Sequence, residues 1–273
     1  MQLQSKEMMI ASGRLVDSGQ LCELHNEHLY SVRIPSGKLS NPFCFTCKQA
    51  EIQKENAERV AAAYQQSKKF HSFGVFERES IITPELEFAT FENFQHADVT
   101  ENNAIYFARK MAKHYFDDGK GNTIFTGPPG VGKSHLTIAM ARELHANFDK
   151  FGHDKSMIFM PVSRLFSKIQ DSFNGSGNFT ENRAVELLTN VDFLFLDDLG
   201  KEAVMSNQIK AANEWKQQVL FNILDNRERT IINTNFSSNQ LRAIYDAALA
   251  DRIFKGSKDQ VFKFPEGSKS KRW

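Results

Sequence analysis

The stretch "NTIFTGPPGVGKSHLTIAMARELHANF", residues 122–148, limits the possible folds more than any other. It opens with a short apolar run of strand character and closes with a long apolar-periodic helix. Between them "GPPGVGKS" (127–134) satisfies G-x-x-x-x-G-K-[ST]. Strand, loop and helix in that order form a phosphate cradle. Glycines let successive backbone N–H groups turn inward, and the helix N-terminus adds a favourable dipole. The loop comprises Gly127, Pro128, Pro129, Gly130, Val131, Gly132, Lys133 and Ser134. Lys133 is placed to reach the β- and γ-phosphates of a nucleoside triphosphate, and Ser134 to ligate Mg²⁺.

Around this unit, helices alternate with short apolar strands from about residue 98 onward. The strands are "NTIFTG", "SMIFMPV", "VDFLFLDD", "TIINTN" and a final "QVFKF". Such alternation predicts an α/β fold, a parallel sheet covered by helices. A helix is expected over about 100–117 and a long one over about 205–227. Residues 76–97 show no helical period and are expected to be a linker, strand-like at Ser80–Thr83.

The run "FLFLDDLGKE" (193–202) ends in carboxylates, and in a parallel sheet ligands sit at the carboxyl ends of the strands. Asp197 is placed to hold Mg²⁺ and Asp198 to orient or deprotonate the attacking water. Glu202, one turn on, is an alternative base. Asn235, ending "TIINTN", is in register to hydrogen-bond the water or γ-phosphate. Arg252 in "LADRIF" suits an arginine finger offered to a neighbouring subunit, with Arg227 and Arg229 as further candidates.

The N-terminal region reads differently. All three cysteines lie in "CELH" (22–25) and "CFTC" (44–47). Cys22, His25, Cys44 and Cys47 make a closed tetrahedral Zn²⁺ set, structural rather than catalytic. His28 is an alternative to His25. A module this small needs metal binding to supply folding energy. The segment 48–70, rich in Ala, Glu, Gln and Lys without Gly or Pro, predicts a helix with a thin apolar stripe. The expected organisation is a zinc module over 1–75, the linker over 76–97 and an ATPase domain over 98–273.

Together "TFENF" (90–94), "GPPGVGKSHL", "FLFLDDLGKE", "TIINTNF", "DRIF" and "EGSKSKRW" resemble AAA+ ATPases, and more narrowly the bacterial and phage replicative-helicase loaders of the DnaC/DnaI type. The resemblance covers about residues 90–273. It implies a P-loop core without a full lid domain, with ATP as substrate, and it adds His135 to the nucleotide set. It makes Asp197 and Asp198 the Walker B pair, Asn235 sensor 1 and Arg252 the finger. Phe91 and Phe94 match a segment that borders adenine in related initiators, and Arg272 a basic sensor 2 residue. "NTN" departs from the Thr-Ser-Asn usual in that family.

The implied function is ATP-dependent loading of a hexameric DnaB-type replicative helicase onto single-stranded DNA, with hydrolysis as an assembly switch. The zinc module would grip the helicase, and ATPase subunits would assemble head to tail. Arg164, Lys168 and Lys155 are candidates for DNA contact. The alternative is an IstB-like transposition helper ATPase, whose N-terminus is not built on such knuckles. Net charge is +1 over 273 residues, so any nucleic-acid surface is local. Neither a signal peptide nor an apolar stretch of membrane-spanning length is evident, and a cytoplasmic protein without membrane partners is expected.

Overall fold

The structure is a computed structural model that describes residues 6–72, 74–95, 98–173, 175, 177–205 and 208–271. Arg272 lies outside the described residues. The chain forms two compact units, Met1–Ser67 and Lys68–Trp273.

The first unit starts with a short helix, α1 (Lys6–Ala11), and an antiparallel hairpin of β1 (Leu15–Leu21) and β2 (His28–Val32). The loop between the strands carries Cys22 and His25. After a bridge between Tyr30 and Phe43, α2 (Phe45–Ser72) begins with Cys47 in its first turn. This helix contains the predicted 48–70 segment. Few side chains are buried here: Leu15, Ser31, Cys22 and Cys44. Two edge-on ring contacts, Tyr30 on Phe45 and Phe43 on Phe45, supplement them. So small a core makes the cysteine cluster part of the unit's stability.

The second unit contains α3 (Gly74–Glu79), α4 (Val99–Phe116), β3 (Gly121–Thr126), α5 (Lys133–Lys150), β4 (Met157–Pro161), α6 (Val162–Phe173) and α7 (Glu181–Asn190). Then come β5 (Phe193–Leu199), β6 (Val204–Met205), β7 (Gln208–Ile209), α8 (Glu214–Leu224), β8 (Arg229–Thr234), α9 (Ser238–Ile244), α10 (Ala247–Ile253) and β9 (Val261–Lys263). Five strands form one parallel sheet in the order β4-β5-β8-β3-β9. The α/β expectation is borne out, helices on both faces included.

The strand alternation assigns each residue to a layer. In β5, Phe193 and Phe195 pack with the α4 and α5 residues Tyr115, Leu136 and Phe148. Leu194 and Leu196 face the opposite layer, with Leu165, Leu188, Leu220 and Ile223 of α6, α7 and α8. A strand covered on both sides needs an unbroken apolar run, which is what "FLFL" supplies.

Two expectations are corrected. The stretch 76–97 is not a linker through its described part: Phe76, Ala89, Phe91 and Phe94 are buried in the α4–α5 layer. Ile81 N–H donates to the Phe159 carbonyl of β4 at 2.9 Å, and Phe159 N–H donates to Ser80 Oγ at 2.9 Å. Irregular backbone is anchored here by single aromatic side chains rather than by a period. Nor does one helix span 205–227. The β6–β7 hairpin comes first, and α8 starts only where Asn213 caps it by accepting from Trp215 N–H at 2.9 Å. Among the described residues no helix is long and apolar enough to cross a membrane.

Candidate nucleotide-binding and hydrolysis site

The phosphate loop leaves the carboxyl end of β3 and enters α5. Its backbone is shaped by neighbours as well as by glycine freedom. Gly132 has φ +94°, and a Cβ there would meet Phe94 at 2.5 Å. Gly130, at φ +84°, would meet Ser270 Oγ. Phe94 and the segment after β9 therefore press on the loop from outside. Lys271 N–H donates to the Gly130 carbonyl at 2.8 Å, and its ammonium lies 3.7 Å from the Phe94 ring centroid while pairing with Glu101 at 3.0 Å.

Lys133 is buried, and its ammonium donates to the carbonyls of Gly127 (2.7 Å) and Pro128 (2.8 Å) and to Asn235 Oδ1 (2.7 Å). The amine of the loop and the amide ending β8 thus converge on one point. Ser134 Oγ donates to both Asp197 oxygens, at 2.8 and 3.0 Å. Asp197 is 8% exposed, and burial pushes its carboxyl upward, opposed by hydrogen bonds from Asn233 and Ser134. A hydroxyl beside a buried carboxylate at the mouth of a phosphate loop fits a hard divalent cation, whose charge would offset that burial. Ser134 and Asp197 are the residues that would hold Mg²⁺.

Asn233 is a site residue that shows in the sequence only as a departure from the Thr-Ser-Asn pattern. Its Nδ2 donates to Asp197 Oδ1 and to Thr137 Oγ1, both at 2.8 Å, and the residue is 1% exposed. The signal was present: an amide in a core strand two positions before Asn235 must find polar partners.

Asp198 stands apart from Asp197. Leu196 pairs with Ile232 and Leu199 with Thr234, so Asp197 and Asp198 of β5 oppose Asn233 alone. This is a β-bulge, a device that re-aims side chains beside functional sites. Asp198 adopts φ +59° and pairs with Lys201 at 3.0 Å. The two adjacent carboxylates at the bulge have different partners, Ser134 and Asn233 for Asp197 and Lys201 for Asp198. Glu202 has its own partners: its carboxylate accepts from Gly200 N–H at 3.0 Å and from the Tyr245 hydroxyl.

Phe91 and Phe94 are buried, 4% and 2% exposed. Phe94 meets the His135 ring edge-on at 5.2 Å, and His135 Nε2–H donates to the Thr90 carbonyl at 2.8 Å. Burial lowers the basicity of that imidazole, consistent with a neutral ring in a packing role. Phe94 packs on the loop at Gly132, and Phe91 lies in the same buried layer.

Arg252 is at the other end of the sheet. Its backbone carbonyl accepts from Asn122 Nδ2 at 2.8 Å, at the amino end of β3, whereas the phosphate loop leaves the carboxyl end. The guanidinium pairs with Asp225 at 2.6 Å and Asp251 at 2.9 Å. Arg252 is not brought together with Lys133 or Asp197 of its own chain. Arg227, 4% exposed, donates to the carbonyls of Leu188 and Val191 at 2.7 Å each, and is committed to the end of α7. Arg229 donates to Gly119 and pairs with Asp118. Of the cationic surface candidates, Lys155 pairs with Asp192 at 3.2 Å, Lys168 lies over Phe179, and Arg164 is exposed on α6.

In the first unit Cys22, His25, Cys44 and Cys47 present ligand atoms that all lie within 4.8 Å of one another. His25 Nδ1 is 3.7, 3.6 and 3.3 Å from the three sulfurs, and the Cys22 and Cys47 sulfurs are 3.7 Å apart. With Zn–S near 2.3 Å, a tetrahedron has edges of about 3.8 Å. The set fits zinc. His25 holds the Cys22 thiol down to about 6, and Cys22 in turn pushes Cys47 up to about 11, the crowding a cation relieves. Glu27 accepts from Thr46 Oγ1 at 2.8 Å beside the cluster, and its 3.5 Å contact with Cys44 Sγ uses a thiol proton that coordination would remove. His28 pairs with Asp17 at 3.0 Å and is outside the cluster.

Parallel sheet, phosphate loop, buried strand-end aspartate and paired asparagines define a nucleotide-binding P-loop protein. The chain belongs to the family described as IstB-like ATP binding protein, whose model matches residues 76–263. It is 31% identical over 172 residues to a protein named replicative helicase loader DnaC from Buchnera aphidicola subsp. Baizongia pistaciae. That alignment covers 62% of this chain and 64% of the relative, just under two thirds of its length. With the protein of the same name from Escherichia coli (strain K12) it shares 26% over 209 residues, 75% of this chain and 78% of the relative. The crystal structure of the DnaC helicase loader superposes with a TM-score of 0.52 at 20% identity, covering 67% of this chain and all of that one, a likeness of fold.

Proposed function

We propose that the chain is an ATP-hydrolysing loader that places a hexameric DnaB-type replicative helicase on single-stranded DNA. The carrying observation is its similarity to proteins named replicative helicase loaders over most of the ATPase unit. Lys133 would leave the Gly127 and Pro128 carbonyls to meet the β- and γ-phosphates, and loop amides would cradle them. Mg²⁺ held by Ser134 and Asp197 supplies charge neutralisation at the phosphates when bound. Asn235 would orient the γ-phosphate or water, and Asp198 would direct the water for in-line attack.

Arg252 is too far along β3 to reach its own loop: the four steps from Asn122 to Thr126 span about 13 Å. It suits a neighbour's γ-phosphate, which requires head-to-tail assembly. The zinc-binding unit and α2 would hold the helicase, and basic side chains such as Arg164 would contact DNA. The alternative within an IstB-like family is a transposition helper, and one experiment separates the two. Full-length chain is mixed with the host replicative helicase or with a transposase, with and without ATP. Nucleotide-dependent capture of the helicase and its transfer to a DNA oligonucleotide is the expected result. Capture of the transposase alone overturns the loader reading.

A further inference from the structure

The bulge that aims Asp198 is held from two directions. On one side Thr234 Oγ1 donates to the Leu199 carbonyl at 2.7 Å and accepts from Phe236 N–H at 3.1 Å. On the other side Glu202 reaches back, its Oε2 accepting from Gly200 N–H and its Oε1 from the Tyr245 hydroxyl. Tyr245 is 3% exposed and directly follows α9, the helix that leaves β8 just beyond Asn235. Ala212 N–H donates to the Ile244 carbonyl at 2.8 Å and fastens the same corner to the approach of α8.

We propose that Glu202 is a positioning residue: it locks the turn after Asp198 to the element after Asn235, and takes no proton from the attacking water. Both carboxylate oxygens are committed within the chain. Lys216 Nζ donates to the Glu202 backbone carbonyl at 3.3 Å. Gly200, Tyr245 and Lys216 all lie outside the phosphate loop. Burial pushes the Glu202 carboxyl upward, and Tyr245 with it. That shift reflects the closed corner, since a hydrogen-bonded acceptor needs no ionisation change to hold Gly200.

The brace couples two catalytic elements. The strand carrying Asp198 and the strand carrying Asn235 are neighbours in the sheet, but their ladder is interrupted at the bulge. Glu202 and Tyr245 close that gap beyond the strand ends, and so set the spacing between the carboxylate that directs water and the amide that meets the γ-phosphate.

The inference rests on the hydrolysis reading above, and turnover by the unaltered chain is the control that separates the two. Steady-state ATPase and fluorescent-nucleotide binding are measured for wild type, Glu202→Gln, Glu202→Ala and Tyr245→Phe across pH. A glutamine still accepts from Gly200 N–H and can donate to Tyr245, so Glu202→Gln should keep kcat within about threefold with an unchanged pH profile. Glu202→Ala should lower kcat by about tenfold or more with KM for ATP nearly constant, as expected for a misplaced group. Tyr245→Phe should fall in between. A loss of about a hundredfold in Glu202→Gln with normal nucleotide binding would make Glu202 the base and overturn the proposal. If Glu202→Ala does not fold, wild-type turnover in Tyr245→Phe overturns it instead. A wild-type chain that binds but never hydrolyses ATP removes the underlying reading.

Discussion

Asn233 Nδ2 lies 2.8 Å from Asp197 Oδ1, directly across the one place where β5 and β8 lose register. The amide is what keeps a nearly buried carboxylate turned towards Ser134. Replacing Asn233 by Ala should raise the Mg²⁺ concentration that half-saturates nucleotide binding by about tenfold, the usual range for a support behind a metal ligand. Binding in EDTA should be unchanged. Titrating Mg²⁺ against a fluorescent ATP analogue checks this, and equal loss with and without metal would mean a folding role only.

Asp198 holds a left-handed backbone that an L-residue other than glycine occupies at a cost of about 1–2 kcal/mol. Its pair with the exposed Lys201 returns little of that. Asp198→Gly should therefore melt slightly higher than wild type while hydrolysing ATP about a hundredfold more slowly or worse. Calorimetry and a phosphate-release assay on one preparation would show the two opposite effects. A lower melting temperature would place the strain elsewhere.

Arg252 is fastened to Asn122 at the amino end of β3, so as a finger it would have to serve a phosphate on another copy. Arg252→Ala should lose about a thousandfold in turnover with nucleotide affinity intact. Lys133→Ala should abolish nucleotide binding. Mixed in equal amounts, the two inactive chains should regain activity, since each interface joining an intact Lys133 to an intact Arg252 is complete. No recovery would count against action in trans.

The cysteine cluster predicts proton release. His25 lowers the Cys22 thiol to about 6 while Cys22 raises Cys47 to about 11, so the coupled pair should keep about one proton at pH 7.5 that coordination must release. Zinc uptake should release at least about one proton per chain at that pH, and affinity should fall as the pH drops through 6. Calorimetry in buffers of differing ionisation enthalpy measures the count. Metal analysis should find about one zinc per chain, and Cys47→Ser should weaken binding sharply.

The sheet was readable because "FLFL" and "TIF" are runs that only a doubly covered strand can bury. The phosphate loop was readable because its glycines and lysine are needed in a set order. The bulge was not, since register belongs to two strands together and neither "LDDL" nor "INTN" contains it. The burial of Phe76, Phe91 and Phe94 escaped notice for a related reason: three anchors at irregular spacing have no period. The β6–β7 hairpin was read as helix although Asn213–Glu214, a capping pair, marked the true start of α8.

If Arg252 serves a neighbour's nucleotide, each subunit would carry the donor half of one site and the acceptor half of another, because the loop and Arg252 lie at opposite ends of β3. A closed ring then has as many complete sites as subunits, and an open spiral always has one fewer. Turnover per subunit would register whether the assembly is shut, so phosphate release could serve as a direct gauge of ring opening without any image of the complex.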